Sequence, residues 1–353
     1  MSGALLIYSA SGYMGALTAR TAVAAGLVPV LGGRRAEAVA PLAQELGLAT
    51  RVAALDDQAA LAAALDGIDV VLNCAGPFPA TTVPMAQACI RAGVHYLDLA
   101  GEVPEYEALL ARDAEARDAG AMLMPGVGFG IVPTDCLALH LKRRLPDATR
   151  LELSFQAVGG VTRGTATNIF TALHKPGVER RDGALVAVRP AERGRELDLG
   201  AGRTKVFTNP WRADQTTAFR STGIPNIETY TALPPPVRLI MRSSRRAGRL
   251  FASRPYQALL RRAIRLMPEG PSDKQLAAGS SYVFGAVENA AGERAEARLR
   301  GPEVNRFTAL TAVEVARRVL AGSPAPPAGF ATPAEVYGPE LVLVEGVELI
   351  DVR

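Results

Sequence analysis

Apolar positions over residues 4–126 fall into short, nearly continuous runs, separated by stretches where they recur at helical spacing. ALLIYS (4–9), LVPVLG (27–32), TRVAAL (50–55), IDVVLNCAG (68–76), VHYLDLAG (94–101) and AMLMPG (121–126) read as strands. Residues 13–25, 36–46, 56–65, 82–93 and 104–120 read as helices, several closed by glycine. Strand–helix alternation with short links predicts a parallel, doubly wound sheet. Strands that are apolar throughout agree with burial on both faces.

After Val132 the rhythm changes. TDCLALHLKRRL (134–145) reads as a helix and ATRLELSFQAV (148–158) as an alternating strand. Residues 281–301 read as a β-hairpin turning at Asn289–Gly292, and 307–322 as a helix with a glycine stop. VELIDV (347–352) is a short strand, and 175–235 gives only loop and short-strand signals. The expectation is an α/β chain with its dinucleotide-type sheet over 1–130. A central α+β domain with a mixed or antiparallel sheet covers 131–306, and 307–353 packs back on the first domain.

Composition narrows the function classes. The chain has 353 residues, 48% apolar and 21% charged, enough for two ordinary globular domains. Its net charge of +4 is carried almost wholly by arginine in an Ala- and Gly-rich chain, which weakens any argument from charge to nucleic acid. Three cysteines without a CxxC pair suit a reducing compartment and argue against a disulfide frame or zinc site. No basic segment followed by an apolar stretch opens the chain, so no secretory signal is read. The uncharged run 119–134 is broken by glycines and prolines and does not read as a membrane span. A cytoplasmic protein is expected.

The first candidate chemistry lies in SASGYMG (9–15), between the first strand and first helix. A phosphate loop needs glycine where a side chain would block the turn or the ligand, and a helix N-terminus aimed at the anion. Gly12 and Gly15 meet that need, while Ser9 stands where such loops normally begin with glycine. Ser9, Ser11, Gly12, Tyr13, Met14 and Gly15 are therefore cofactor candidates, against the bland reading of a small-residue turn. The second strand runs into GGRR, with no carboxylate before Glu37 to hold a ribose 2′-hydroxyl. Arg34 and Arg35 suit a 2′-phosphate instead, which selects NADP(H) over NAD(H). NCAGPF (73–78) ends the fourth strand, where Asn73, Gly76 and Pro77 offer close backbone approach and a rigid turn for a nicotinamide ribose; Cys74, read as a small packed residue, and Ala75 are counted with Gly76 and Pro77 as cofactor candidates. In HYLDLAGE (95–102), Tyr96 and Asp98 alternate onto one face beside Glu102. Asp98 reads equally as a substrate group and as a buried carboxylate holding loops. His95, His140 and His174 are scattered, and Cys136 with His140 is only a pair, so no metal site is expected.

These motifs, with GFGIVPTD (128–135), GTATN (164–168) and GFATPAEVYGPEL (329–341), occur in an order that resembles the saccharopine dehydrogenase-like oxidoreductases. That group includes trans-acting enoyl reductases. The resemblance implies a Rossmann domain, a central α+β domain and NADP(H) at Gly12, Gly15 and Arg34. It does not name one substrate, since members act at C=N or C=C bonds. The expected function is an NADP(H)-dependent reductase of a C=C, C=N or C=O bond in a small or lipid-linked molecule. Tyr96, Asp98, Asp135 and Thr165 are the candidate catalytic residues. The alternative is a non-catalytic NADP-binding or membrane-associated partner protein.

Residues 236–267 hold nine arginines and no Asp or Glu. Arg238, Arg242, Arg245, Arg246 and Arg249 follow a helical stripe. Tyr256, Leu259, Leu260, Ala263, Ile264 and Met267 are expected to form an apolar face, with Arg261, Arg262 and Arg265 turned away. The pattern leaves open packing on its own domain, a homodimer contact, and peripheral contact with an anionic membrane.

Overall fold

The computed structural model describes residues 3–172 and 175–352, so His174 lies outside the described residues. The chain divides into two compact units, Met1–Val132 with Asn305–Glu345 and Pro133–Val304 with Gly346–Arg353.

In the first unit seven parallel strands lie in the order Gly329–Phe330, Met122–Met124, His95–Asp98, Val70–Asn73, Leu5–Tyr8, Val30–Gly33, Thr50–Val52. The central strand pairs with Val70–Asn73 on one side and Val30–Gly33 on the other, so the connections diverge at its carboxyl end. That is the topological switch point where an open α/β sheet binds ligands. Leu5, Leu6 and Ile7 are buried, as are Val70, Val71 and Leu72. Helices cover both faces, which is why these strands show no polar alternation.

Three details differ from the sequence pattern. The fourth helix is Phe78–Ala92 rather than 82–93, because Pro79 sits in its first turn, where the missing N–H costs nothing. The expected helix 104–120 is two, Val103–Leu110 and Asp113–Asp118, broken at Arg112. Asp113 then accepts a hydrogen bond from the Phe330 N–H at 2.8 Å. That contact fixes a seventh strand, too short at two residues to show a pattern.

The second unit is built on a mixed nine-stranded sheet. Arg150–Val158 pairs parallel with Asn226–Ala232 and antiparallel with Ser280–Glu288, which forms a hairpin with Arg294–Pro302. Residues 175–235 are more ordered than the sequence suggested. They form strands Gly177–Arg181, Ala184–Val188, Gly194–Asp198, Arg203–Thr208 and Asn226–Ala232, plus the helix Asp214–Thr222. The chain end is a second correction. Residues 305–345 belong to the first unit, but Glu348–Asp351 adds antiparallel to Arg294–Pro302 in the second. The pairing covers a free sheet edge, and Asp351 accepts from Arg144 at 2.7 Å and meets His140 at 2.8 Å. No helix among the described residues is long and apolar enough to cross a membrane.

Candidate dinucleotide-binding site

The loop after the central strand is set by two close approaches. Ser9 has φ +64°, a left-handed conformation that L-residues adopt at a cost and glycine adopts freely. The turn closes by the Gly12 N–H bonding the Ser9 carbonyl at 3.0 Å and the Ala10 N–H bonding the Gly32 carbonyl at 3.0 Å. A β-carbon on Gly15 would stand 2.2 Å from the Ser9 oxygen and 2.8 Å from the Ala10 Cα. Glycine there is what lets the helix Tyr13–Ala24 start against the strand. Gly12 is different. A β-carbon at Gly12 would meet nothing closer than 3.4 Å, so the fold itself does not demand glycine there. No side chain caps this helix, and its first turn, from Tyr13 through Met14 to Gly15, carries donors without intrahelical partners, as every helix start does. Ser11 beside it is exposed.

Arg34 and Arg35 follow the second strand and are both exposed. Arg35 lies 3.7 Å from Glu37, an exposed pair of little strength. Arg34 makes no ion pair among the described residues. It is close enough to influence Tyr8, whose phenol donates to the Ala53 carbonyl at 2.8 Å and is raised in pKa mainly by burial.

Across the switch point, Tyr8, Asn73 and Asp98 stand in register on three adjacent strands. Asn73 donates to the Tyr96 hydroxyl at 3.2 Å, and Tyr96 donates to Asp98 Oδ2 at 2.7 Å. Thr82 also donates to Oδ2, at 3.2 Å. Asp98 Oδ1 accepts the N–H groups of Ala100 at 2.9 Å and Gly126 at 3.0 Å. Asp98 and Tyr96 have no solvent exposure. Burial pushes the Asp98 pKa up against these four hydrogen bonds, and burial and then the Asp98 carboxylate hold the Tyr96 phenol well above its ordinary range. A carboxylate with four donors and no exposure is a positioning group. It ties the loops at 99–101 and 125–127 to the strand end, with the buried Tyr96 phenol donating to it. Thr82, which the sequence reading missed, completes the hub from the fourth helix. No local motif marks it.

Cys74 is half-buried, and burial pushes its thiol up to about 12, which favours the thiol over the nucleophilic thiolate. The Asn73 side chain accepts the Ala75 N–H at 3.0 Å, and Thr81 bonds back to the Ala75 carbonyl, fixing the turn. Gly76 and Pro77 are exposed beyond it. Glu102 is half-buried and accepts the Gly101 N–H at 3.1 Å.

Asp135 and Thr165 belong to the second unit. Asp135 is buried and accepts from Ser221 at 2.7 Å, linking helices Val132–Arg144 and Asp214–Thr222. Thr165 is exposed in the first turn of the helix Arg163–Ala172, 2.9 Å from the Thr162 hydroxyl. A partly buried arginine in the same unit had no signal in the sequence. Arg212 pairs with Asp214 at 2.6 Å, donates to Thr134 at 3.0 Å and lies 4.6 Å over the Phe155 ring. No group of three or more His, Cys, Asp or Glu among the described residues is placed to hold a metal.

Comparison with known proteins gives this geometry a context. Residues 6–124 match the family model for the saccharopine dehydrogenase NADP binding domain. A candidate trans-acting enoyl reductase of Mycobacterium tuberculosis is 30% identical over 217 residues, which is 56% of this chain and 51% of that protein. The trans-acting enoyl reductase of Mycobacterium ulcerans is 30% identical over 170 residues, 42% of this chain and 38% of its own length. The chain thus spans about half or less of the curated relatives it matches. Apo saccharopine dehydrogenase (L-Glu forming) of Saccharomyces cerevisiae superposes with a TM-score of 0.68, covering 99% of this chain and 100% of that one. At 13% identity, that likeness speaks for the fold.

Proposed function

We propose that this chain, whose residues 6–124 match the family model for the saccharopine dehydrogenase NADP binding domain, is an NADP(H)-dependent oxidoreductase. Its substrate is a small organic or lipid-linked molecule presenting a C=C, C=N or C=O bond. The observation that carries the reading is the loop at the switch point. There Gly15 serves the fold, glycine at position 12 is not demanded by it, and Arg34, which makes no ion pair among the described residues, follows the next strand. A bound nicotinamide supplies hydride. In this reading Ser11 and the first turn of the helix hold the pyrophosphate, and Arg34 holds the 2′-phosphate by a charge-assisted contact. Gly76 and Pro77 admit the nicotinamide ribose. Asp98, through its hydrogen bonds to Ala100 and Gly126, keeps the neighbouring loops in place. Among the residues proposed to act on substrate, Thr165 has an exposed hydroxyl, while Asp135 supports its helix. The three free thiols suit a cytoplasmic enzyme.

The test is consumption of NADPH in the presence of enals, enoyl thioesters and imines, using protein first shown to bind NADPH. Turnover of one class, faster with NADPH than NADH, supports the proposal. Binding without turnover of any class would favour a non-catalytic NADP-binding role.

A further inference from the structure

The arginine-rich segment packs on its own unit, and it does so by part of the face that its sequence suggests. It forms helices Pro235–Ala252, kinked at Ala247, and Arg254–Arg265. Met241 and Phe251 are buried in a cluster with Phe207 and Ala191, and Tyr256 packs against them. Ile264 is buried too. Arg238 leaves the expected outer stripe and lies 5.1 Å over the Phe207 ring. The side chains of Arg245 and Arg246 lie outside the description. Leu259 and Ala263, expected to face inward, are exposed instead.

What remains outside is unusual for a self-contained surface. Leu239, Leu250, Leu259 and Leu266 are exposed by 66, 61, 67 and 84%. Among the described residues only Val28 is another large apolar side chain above 60%. Three of these leucines have an arginine within helical reach. Arg242 follows Leu239 by three residues, and Arg262 lies between Leu259 and Leu266 on one stripe. No ion pair engages Arg242, Arg249, Arg254, Arg261, Arg262 or Arg265 among the described residues.

We propose that the outer face of helices 235–252 and 254–265 docks on an anionic lipid surface, with the four leucines entering the headgroup boundary and the arginines beside the phosphates. The inference does not rest on the oxidoreductase reading. Charge complementarity selects this occupant. A segment with nine arginines and no Asp or Glu would repel a second copy of itself across a two-fold axis. A polyanion such as nucleic acid would satisfy the arginines and leave the leucines in water. An amphipathic helix lying in a membrane interface uses both.

Flotation of the full chain with vesicles tests this. Vesicles of phosphatidylcholine enriched in phosphatidylserine should carry the wild type upward at low salt, and phosphatidylcholine alone should not. About 1 M NaCl, where the screening length is ~3 Å, should release most of it. L259N/L266N keeps every charge and alters only exposed side chains, so thermal melting should not change. Its partition onto anionic vesicles should fall about tenfold, since buried apolar area is lost. R261Q/R262Q/R265Q should lower partition too, and NADPH affinity should be unaffected in both variants. Absence of the wild type from anionic vesicles at low salt would overturn the proposal. So would undiminished flotation of L259N/L266N, which would reveal a general polyanion surface that duplex DNA should then occupy equally well. Undiminished flotation together with a lower solution mass for L259N/L266N than for the wild type would overturn it in favour of self-association.

Discussion

The backbone of Ser9 and the backbone of Gly15 approach so closely that a β-carbon on Gly15 would stand 2.2 Å from the Ser9 carbonyl oxygen. One residue bends the chain off the strand in a left-handed conformation, and the other lets the helix begin there. The two positions respond differently to substitution. Ser9→Gly removes a left-handed cost of about 1–2 kcal/mol and adds about 0.5–1 kcal/mol of backbone entropy, so a small net stabilisation follows. Calorimetry should show the first unit melting about 1–3 °C higher, with NADPH affinity unchanged. Gly15→Ala should destabilise by about 2 kcal/mol or more, because backbone atoms must move apart. A lower melting temperature for Ser9→Gly would contradict this account of the turn.

Asp98 gives a second expectation. In Asp98→Asn the side-chain oxygen still accepts the Ala100 and Gly126 N–H groups, while the new amide faces two hydroxyls that must reorient. Denaturant unfolding should register a loss of roughly 1–2 kcal/mol. Asp98→Ala strips four donors of their acceptor inside a buried hub and should cost about 3 kcal/mol or more. Equal losses for the two variants would mean that the hydrogen bonds to the loops do not matter.

His95 sets a pH dependence. Its Nδ1 accepts the Met122 N–H at 3.0 Å, which requires the unprotonated nitrogen, and burial lowers its pKa against a weaker opposite pull from Asp69. Below about pH 6.5 the unfolded chain takes up a proton that the folded chain resists. Stability from this site is therefore present above that pH and is lost as pH falls toward the lowered folded value. His95→Asn keeps an acceptor without a titrating ring. Melting curves from pH 7 to 5 should flatten in the variant relative to wild type, and parallel curves would refute the assignment.

The first unit was legible because burial on both sheet faces leaves uninterrupted apolar runs, and because the loop after Leu5–Tyr8 carries its glycines at fixed offsets. What escaped did so for physical reasons. Ala184–Val188 is largely exposed, so it shows no alternation. Gly329–Phe330 is two residues held by a distant Asp113 carboxylate. Glu348–Asp351 is an edge strand whose partner no local pattern reveals. Leu259 looked inward because helical periodicity marks apolar positions without saying which of them finds a neighbour. The even choice at Asp98 between substrate group and loop anchor needed three dimensions, since Gly126 and Thr82 approach it from other elements.

If this loop and Arg34 make an NADP(H) site, titration of both reduced cofactors into wild type, Gly12→Val and Arg34→Ala will read it out. Gly12 has room for a β-carbon within the protein, so Gly12→Val should stay folded and lose NADPH binding because the branch occupies the pyrophosphate's approach. The wild type should bind NADPH at least about tenfold tighter than NADH, since a charge-assisted phosphate contact contributes ~1.5–3 kcal/mol. Arg34→Ala should erase most of that preference and leave NADH affinity nearly unchanged. Equal affinity of the wild type for both cofactors, or full NADPH affinity in Gly12→Val, would contradict the account.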